Sequence, residues 1–284
     1  MIKTAPLLTQ LDIGEVKLAT RVYPGGGTPN LFIHGSLDDH QAWDGVVDAL
    51  LAEAEHPIPM IVYDRRGHSA STDSPGQGRI SQDVADAAAL LSYLNVAQAH
   101  VVGHSYGANI ALSLAQQHPE LVASLFLYEP PIFGLLNGTP AYVTALKNAK
   151  EVMEEAVGLL EAGEIEKGTA LFVEEIAFGG GSWHSVLDER TRACMLANAD
   201  TWLDQARDPE RLEIGIEGLK DQAIETTLCY GNQTLSSFRG VVEVMRERMP
   251  SLRTIAIAGA GHGAPISHPT ELAAAVQAHL SQIT

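Results

Sequence analysis

The sequence predicts an α/β fold in which helices flank a mostly parallel sheet of eight strands. Short apolar runs rich in β-branched and aromatic residues alternate with longer stretches of helical periodicity, and this alternation is typical of parallel strands joined by crossover helices. The alternation stops over 132–218, where helical stretches follow one another without a strand. We therefore predict a core domain over 1–131 and 219–284 and an inserted helical cap over 132–218.

Apolar runs bounded by turn residues indicate the strands. The first two runs are close enough in sequence to form an antiparallel pair, the turn Gly25-Gly26-Gly27 precedes the third run, and Pro130-Pro131 ends the sixth. The predicted strands are 7–13, 16–23, 30–33, 60–63, 99–103, 121–129, 225–230 and 253–258.

Helices are predicted where apolar residues recur at helical spacing. His118-Pro119 closes the helix that follows the fifth strand, and Pro269 with Thr270 is typical of a helix start. The predicted core helices are 40–54, 81–94, 106–117 and 269–282, and those of the cap are 140–162, 164–177 and 189–206.

The composition argues against several classes of partner. With 35 acidic and 18 basic residues, the formal net charge of −17 disfavours nucleic acid and anionic membranes. Hydrophobic residues make up 45% of the 284 residues, which is enough for a substantial core. No apolar run approaches the roughly 18 residues of a membrane span, and the first residues lack the apolar stretch of a signal peptide. We expect a cytoplasmic protein that acts on a small molecule, as a monomer or a homodimer.

The two cysteines, Cys194 and Cys229, do not have the spacing of a metal or redox site. We expect both to be buried, reduced thiols. The glycines of 103–107 do not form the GxGxxG pattern of a dinucleotide site. The sequence therefore predicts chemistry without a metal or a cofactor.

The segment Gly103-His104-Ser105-Tyr106-Gly107 matches the pattern GxSxG between a predicted strand and an Ala-rich helix. In this context a strained turn exposes the serine hydroxyl, and the two glycines let the helix approach the strand closely. The helix also directs its free N–H groups at the serine, where they stabilise negative charge. We predict that Ser105 is the nucleophile of a hydrolase and that the Tyr106 N–H is one oxyanion donor.

The second oxyanion donor is expected in the loop after the third strand. Gly35 can bend the backbone of this loop back toward the nucleophile. We therefore predict the N–H of Ser36 as the second donor, and we expect His34 to brace the loop instead of acting as a base.

A serine hydroxyl needs a general base, and His262 is the best placed of the 11 histidines. It follows the last predicted strand, so it projects from the same carboxyl edge of the sheet as Ser105. His268 is better explained as a helix-start residue. His104 points away from its serine neighbour, and His68 lies in a separate loop.

Over essentially its full length the sequence resembles the α/β-hydrolase superfamily. The resemblance rests on His34-Gly35, on Asp64-Arg65-Arg66-Gly67-His68-Ser69, on the elbow at Ser105 and on Gly261-His262, and the nucleophile precedes the histidine as in the family. It implies a buried structural turn at Asp64-Arg65-Arg66-Gly67, braced by the Asp and Arg side chains.

The third member of the triad departs from the common family pattern. Many relatives have the acid after the seventh strand as Gly-x-x-Asp, and the matching residue here is Thr234. Glu129 stands at the end of the sixth strand, where haloalkane dehalogenases and zearalenone-type lactone hydrolases place the acid, and the sequence resembles the latter branch most. A carboxylate there fixes the imidazole tautomer and stabilises the imidazolium. We predict Glu129 as the acid; a salt-bridged glutamate at the cap hinge is the alternative, and Asp38 and Asp39 are more distant choices.

The substrate is predicted to lie between the core and the cap. Leu37, Trp183 and Trp202 are our candidates for substrate contacts, and a mostly apolar, neutral carboxylic ester or lactone fits them. A serine nucleophile also permits C–C bond hydrolase or metal-free perhydrolase activity. A ligand-binding receptor on the same scaffold is the alternative outside catalysis.

Overall fold

A computed structural model describes residues 5–54, 56–74, 76–220 and 223–283. These residues form one eight-stranded sheet in the order β1-β2-β4-β3-β5-β6-β7-β8. The pairs β1·β2 and β2·β4 are antiparallel and the other pairs are parallel. The strands are β1 Thr9–Asp12, β2 Lys17–Tyr23, β3 Asn30–Ile33, β4 Met60–Tyr63, β5 Ala99–His104, β6 Val122–Tyr128, β7 Glu225–Gly231 and β8 Arg253–Ile257.

Helices of the core connect the strands and cover both faces of the sheet. They are α1 Asp44–Glu53, α2 Ile80–Tyr93 and α3 Tyr106–Gln117 before β6, and α10 Ser236–Arg248, α11 Ala264–Ser267 and α12 Pro269–Leu280 after β7. The helical insertion, as we call residues 132–218, contains α4 Val143–Glu161, α5 Ile165–Phe172, α6 Ser182–Ser185, α7 Glu189–Ala197 and α8 Ala199–Arg207, and α9 Glu217–Lys220 follows at its end. Short 3₁₀ turns include Pro209–Leu212, and Val173–Ala177 is a π-helical turn.

The prediction of an α/β fold with a mostly parallel eight-stranded sheet is confirmed. One predicted helix is wrong, because 189–206 is broken at Asn198 into α7 and α8. The Asn198 side chain donates from Nδ2 to the carbonyl oxygens of Leu37 and Asp38, and its Oδ1 accepts from the N–H of Ser69. The break therefore anchors the helical insertion to two loops at the carboxyl edge of the sheet.

Three apolar clusters account for the packing. Two lie on opposite faces of the sheet, one against α2, α3 and α10 and the other against α1 and α12. The third lies within the helical insertion and includes Leu37 from the loop after β3. Among the described residues, no helix combines the length and apolar character needed to cross a membrane.

The expectation of two buried thiols holds for Cys229 and is wrong for Cys194. Both are free, but Cys194 is only half-buried, because it lines a surface cleft between α7 and the loop that contains Asp38 and Asp39. Burial raises the pKa of both thiols well above its usual range, so neither is a reactive thiolate.

Candidate active site

Ser105 lies in the turn between β5 and α3, where its backbone is held at φ 53° and ψ −125°. Few L-residues adopt a positive φ, and such strain concentrates at functional sites. The flanking glycines are required by close contacts. A Cβ on Gly103 would lie 2.6 Å from the Cα of Ala108, and one on Gly107 would lie 2.2 Å from the carbonyl oxygen of Ile33. The elbow expected from the sequence is therefore present.

Three side chains form a continuous hydrogen-bonded chain at the carboxyl edge of the sheet. His262 Nε2 lies 2.9 Å from Ser105 Oγ, and His262 Nδ1 lies 2.8 Å from Glu129 Oε2. Glu129 and His262 are buried, and Ser105 is 9% exposed. The structure thus brings together the three residues predicted for the triad, in the order that base catalysis requires.

Glu129 is held in place by groups from the loop after β7. Its Oε1 accepts a hydrogen bond from the Gly231 N–H, and its Oε2 accepts one from Thr234 Oγ1, both at 2.8 Å. The backbone of Glu129 has φ 46°, so both ends of the hydrogen-bonded chain are in strained conformations. Thr234, which occupies the position of the usual family acid, is instead a hydrogen-bond donor to the carboxylate.

The loop that carries His262 is fixed on two sides. Tyr128 donates from its hydroxyl to the carbonyl oxygen of Gly261 at 2.6 Å, and His104 Nε2 lies 2.9 Å from the carbonyl oxygen of His262. Burial, followed by the nearby His262, lowers the pKa of His104 well below its usual range. His104 is therefore neutral and uses its Nε2–H as the donor, which leaves its buried Nδ1 without a partner among the described residues.

Phe238 on α10 stacks on the imidazole of His262. The ring centroids are 3.9 Å apart and the planes are inclined by 19°. Phe238 is buried and also lines the pocket beside Ser105. This contact restricts rotation of the imidazole and excludes water from one of its faces.

The two predicted oxyanion donors belong to the elbow itself and to the loop after β3. Tyr106 is the first residue of α3, so its N–H has no partner within the helix. The Ser36 loop approaches closely, because a Cβ on Gly35 would lie 3.1 Å from Ser105 Cβ. Ser36 also donates from its hydroxyl to Gln205 Oε1 at 2.8 Å. The N–H groups of Ser36 and Tyr106 both remain available among the described residues.

A pocket opens beside Ser105 between the core and the helical insertion. It is lined by Ser36, Ser105, Tyr106, Asn109, Pro131, Phe133, Met153, Phe172, Ile176, Ala177, Trp202, Gln205, Ala206, Arg211, Phe238 and His262.

Of the three residues predicted to contact substrate, the structure places only Trp202 in this lining. Leu37 and Trp183 pack together with Trp202 in the apolar cluster of the helical insertion. Leu37 has φ 67°, and this backbone conformation accompanies its packing into the insertion. These two side chains join the core loop to the insertion. An apolar residue in the sequence looks the same whether it packs in this way or lines the pocket.

The Asp64-Arg65-Arg66-Gly67 turn is braced as the resemblance implies. Arg65 forms a bidentate pair with Asp83 at 3.0 Å, and Arg66 forms one with Asp86 at 2.7 Å. In the loop after β3, His34 Nε2 accepts a hydrogen bond from the Arg65 N–H, as expected of a residue that braces the loop.

Asp39, His40 and Asp64 come close enough together to resemble a metal-binding cluster. Their ligand atoms are already used, however. Asp64 Oδ1 accepts from the backbone N–H and Nδ1 of His40, and the Asp39 carboxylate accepts from the Gln41 N–H and the Ser69 hydroxyl. We interpret the cluster as part of the braced turn.

Sequence reasoning assigned no site role to Thr234, Phe238, Asn109, Gln205 and Arg211. Only Thr234 had a usable signal, since a hydroxyl at the usual position of the acid can reach a carboxylate on the neighbouring strand. The other four come from helices and a turn without a local motif: Asn109 and Phe238 lie on the core helices α3 and α10, and the packing of the helical insertion brings Gln205 and Arg211 to the pocket.

Comparison with known proteins agrees with this architecture. A model of the alpha/beta hydrolase family matches residues 31–275. An AB hydrolase superfamily protein of Gibberella zeae is 40% identical over 118 residues, 41% of this chain and 40% of that protein. A 2-(acetamidomethylene)succinate hydrolase of Mesorhizobium japonicum is 34% identical over 117 residues, 41% of this chain and 40% of that protein. The matches span less than half the length of these curated relatives.

Among solved structures, a thermophilic esterase from Thermogutta terrifontis, with malate bound, has a similar fold. Its TM-score is 0.72 at 22% identity, and the match covers 94% of both chains. At this identity the likeness concerns the fold alone. The family match, the strand order and the strained elbow after β5 together lead to one conclusion: the chain belongs to the alpha/beta hydrolase family.

Proposed function

We propose that the protein is a serine hydrolase that cleaves carboxylic ester or lactone bonds of small, largely apolar substrates. The observation that carries the proposal is the hydrogen-bonded chain from Ser105 Oγ through His262 to Glu129, next to a pocket with mainly apolar walls. The hydrolase from Mesorhizobium japonicum, which is 34% identical over 117 residues, supports hydrolysis as the class of reaction. The resemblance to zearalenone-type lactone hydrolases stays a prediction.

In the acylation step, Ser105 Oγ attacks the carbonyl carbon while its proton passes to His262 Nε2. The N–H groups of Ser36 and Tyr106 donate to the oxyanion, and each such donor contributes roughly 3 kcal/mol by mutational precedent. Glu129 stabilises the imidazolium through Nδ1. The C–O bond to the alcohol then breaks, and the alcohol takes the proton from His262.

In the deacylation step, water attacks the acyl-enzyme and gives its proton to His262 Nε2. The ester bond to Ser105 breaks, the proton returns to Ser105 Oγ, and the carboxylic acid leaves. The helical insertion acts in this proposal as a cap, because its residues complete the pocket and cover the acyl or alcohol group.

Replacement of Ser105 by Ala tests the nucleophile. We expect kcat for a 4-nitrophenyl ester to fall by about 10⁴-fold or more, because the oxyanion donors alone supply little turnover. A fluorophosphonate should label the wild type and leave Ser105→Ala unlabelled. Ser92→Ala, which changes an exposed serine on α2, is the matched control and should keep both signals. Turnover or labelling retained in Ser105→Ala would contradict the proposal.

A further inference from the structure

The pocket lining includes polar groups that the proposed triad and oxyanion hole do not use. Arg211 comes from the 3₁₀ turn after α8, Gln205 from α8 and Asn109 from α3, and all three line the pocket together with Ser105. The remainder of the lining is mainly apolar, and it contains no carboxylate. A few polar groups in a mainly apolar pocket fix the orientation of a ligand.

Arg211 brings a positive charge that the protein does not neutralise by direct contact. Its Nε and Nη2 donate to the carbonyl oxygen of Ala206 at 3.3 and 3.0 Å, and no described carboxylate forms an ion pair with it. Asp208 is the nearby acidic residue, but its two oxygens accept the N–H groups of Ile80 and Glu210. Burial lowers the pKa of Arg211, yet a guanidinium stays charged at neutral pH.

Two buried amides in the same lining each have one polar atom without a described partner. Gln205 is 7% exposed, and its Oε1 accepts from the Ser36 hydroxyl while its Nε2 has no partner among the described residues. Asn109 is 2% exposed, and its Oδ1 is likewise unpartnered within the part of the chain that is described. The buried Tyr106 hydroxyl, also in the lining, is unpartnered too. Buried polar groups without partners are costly, and a ligand that pairs them recovers that cost.

We propose that Arg211, with Gln205 Nε2 and the Tyr106 hydroxyl, forms a carboxylate subsite, and that the substrate is an ester with one carboxylate away from the scissile bond. A half-ester of a dicarboxylic acid has this chemistry. The subsite rests on the proposed function, because it selects the ester that Ser105 attacks.

A monocarboxylate fits the patch better than other polar groups. Its two oxygens accept the N–H and O–H donors that Arg211, Gln205 and Tyr106 present, and the planar guanidinium matches a carboxylate. One cation balances one negative charge, whereas the formal net charge of −17 opposes the approach of multiply charged anions. The substrate is therefore apolar except for a single carboxylate, and not the neutral ester expected from the sequence.

Matched esters test the subsite through selectivity. Monomethyl adipate and methyl hexanoate place the charge on the acyl side, and 4-acetoxybutanoate and butyl acetate place it on the alcohol side. In one of the two pairs, we expect the wild type to have a higher kcat/KM for the charged ester than for its neutral counterpart. Arg211→Gln should reduce the charged-to-neutral ratio of kcat/KM by about 10- to 100-fold, since a hydrogen bond to a charged group is lost.

Two further variants separate charge from general damage. Arg211→Lys keeps the charge and should recover part of the ratio. Arg207→Gln removes an exposed arginine that pairs with Glu161 outside the pocket, and it should leave the ratio at the wild-type value. A wild-type ratio in Arg211→Gln, with esters still hydrolysed, overturns the subsite and leaves the proposed function standing.

Binding provides a readout that does not need turnover. By calorimetry, Ser105→Ala should bind the preferred carboxylate ester about 10- to 100-fold more tightly than the double variant Ser105→Ala/Arg211→Gln. Equal affinities overturn the subsite whatever the kinetics. Weakened binding in the double variant, with no ester hydrolysed by the wild type, supports the subsite and contradicts the proposed function.

Discussion

The two walls of the pocket are built in different ways. On the core wall, Ser105 and Glu129 sit at the ends of adjacent parallel strands, and His262 lies in a loop held by hydrogen bonds from the sheet. On the insertion wall, Trp202 and Arg211 come from a helix and a turn that reach the pocket through the packing of the insertion. Under the proposed function, the sheet positions the reacting groups and the insertion determines which molecule they meet.

The core wall depends on the carboxylate that follows β6, and Glu129→Gln gives the largest expected effect after Ser105→Ala. The amide can still accept the Gly231 N–H, but it cannot hold His262 in the tautomer with Nδ1–H or stabilise the imidazolium. We expect kcat to fall by about 10³- to 10⁴-fold with little change in KM, measured with the preferred ester.

Glu120→Gln is the matched control, because it replaces an exposed glutamate away from the site. It should keep wild-type kcat. If Glu129→Gln also kept wild-type kcat, the acid would lie elsewhere, and slow hydrolysis unaffected by the change would favour a binding protein with a vestigial site.

The insertion wall depends on Asn198, which joins it to the core, so Asn198→Ala gives an effect of intermediate size. The change leaves the buried carbonyl oxygens of Leu37 and Asp38 and the N–H of Ser69 without their partner. The free energy of unfolding should fall by about 2 to 3 kcal/mol, measured in urea. KM should rise by a larger factor than kcat falls, because the loosened insertion displaces the pocket lining.

Asn137→Ala changes an exposed asparagine of the same insertion and should shift stability by less than about 0.5 kcal/mol. A loss of kcat in Asn198→Ala at unchanged KM would contradict the division between the walls, because it would give the insertion a part in the chemistry.

The same division explains how much the sequence could predict. The elbow at Ser105 and the loop at His262 carry local patterns, because strained turns and close approaches restrict the residue types. Glu129 could be proposed because the usual position of the acid holds Thr234 and a carboxylate ends the neighbouring strand. These residues belong to the core wall, where strand order fixes which loops are neighbours.

The insertion wall lacked such constraints in the sequence. Leu37, Trp183 and Trp202 are all apolar, and only the three-dimensional packing decides that Trp202 faces the pocket while the other two face the cluster. Arg211 follows an ordinary Asp-Pro turn, and nothing in its sequence neighbours indicates that it faces a pocket. Contacts between residues that are far apart in the sequence determine these positions, and no single segment of the sequence encodes them.

Asp38 lies where the two walls meet but not in the lining of the pocket beside Ser105, so its replacement by Asn should have the smallest effect on kcat and KM. Burial raises the pKa of its carboxyl to about 7, and the charge of Asp39 adds to this while Arg65 opposes it. In the unfolded chain the pKa of an Asp carboxyl is about 3.9. The folded state therefore binds the proton more tightly, and the stability that protonation provides is complete below pH about 4 and lost as the pH rises through about 7.

Asn carries no charge at any of these pH values, so Asp38→Asn should lose no stability over this interval. We expect its Tm to exceed that of the wild type by a few degrees at pH 8 and to match it near pH 4, by thermal unfolding at both values. His104 Nδ1, 4.0 Å from the Asp38 carboxylate, contributes little because the ring stays neutral. The same Tm difference at both pH values would show that a change in packing, and not ionisation at the meeting point of the walls, is responsible.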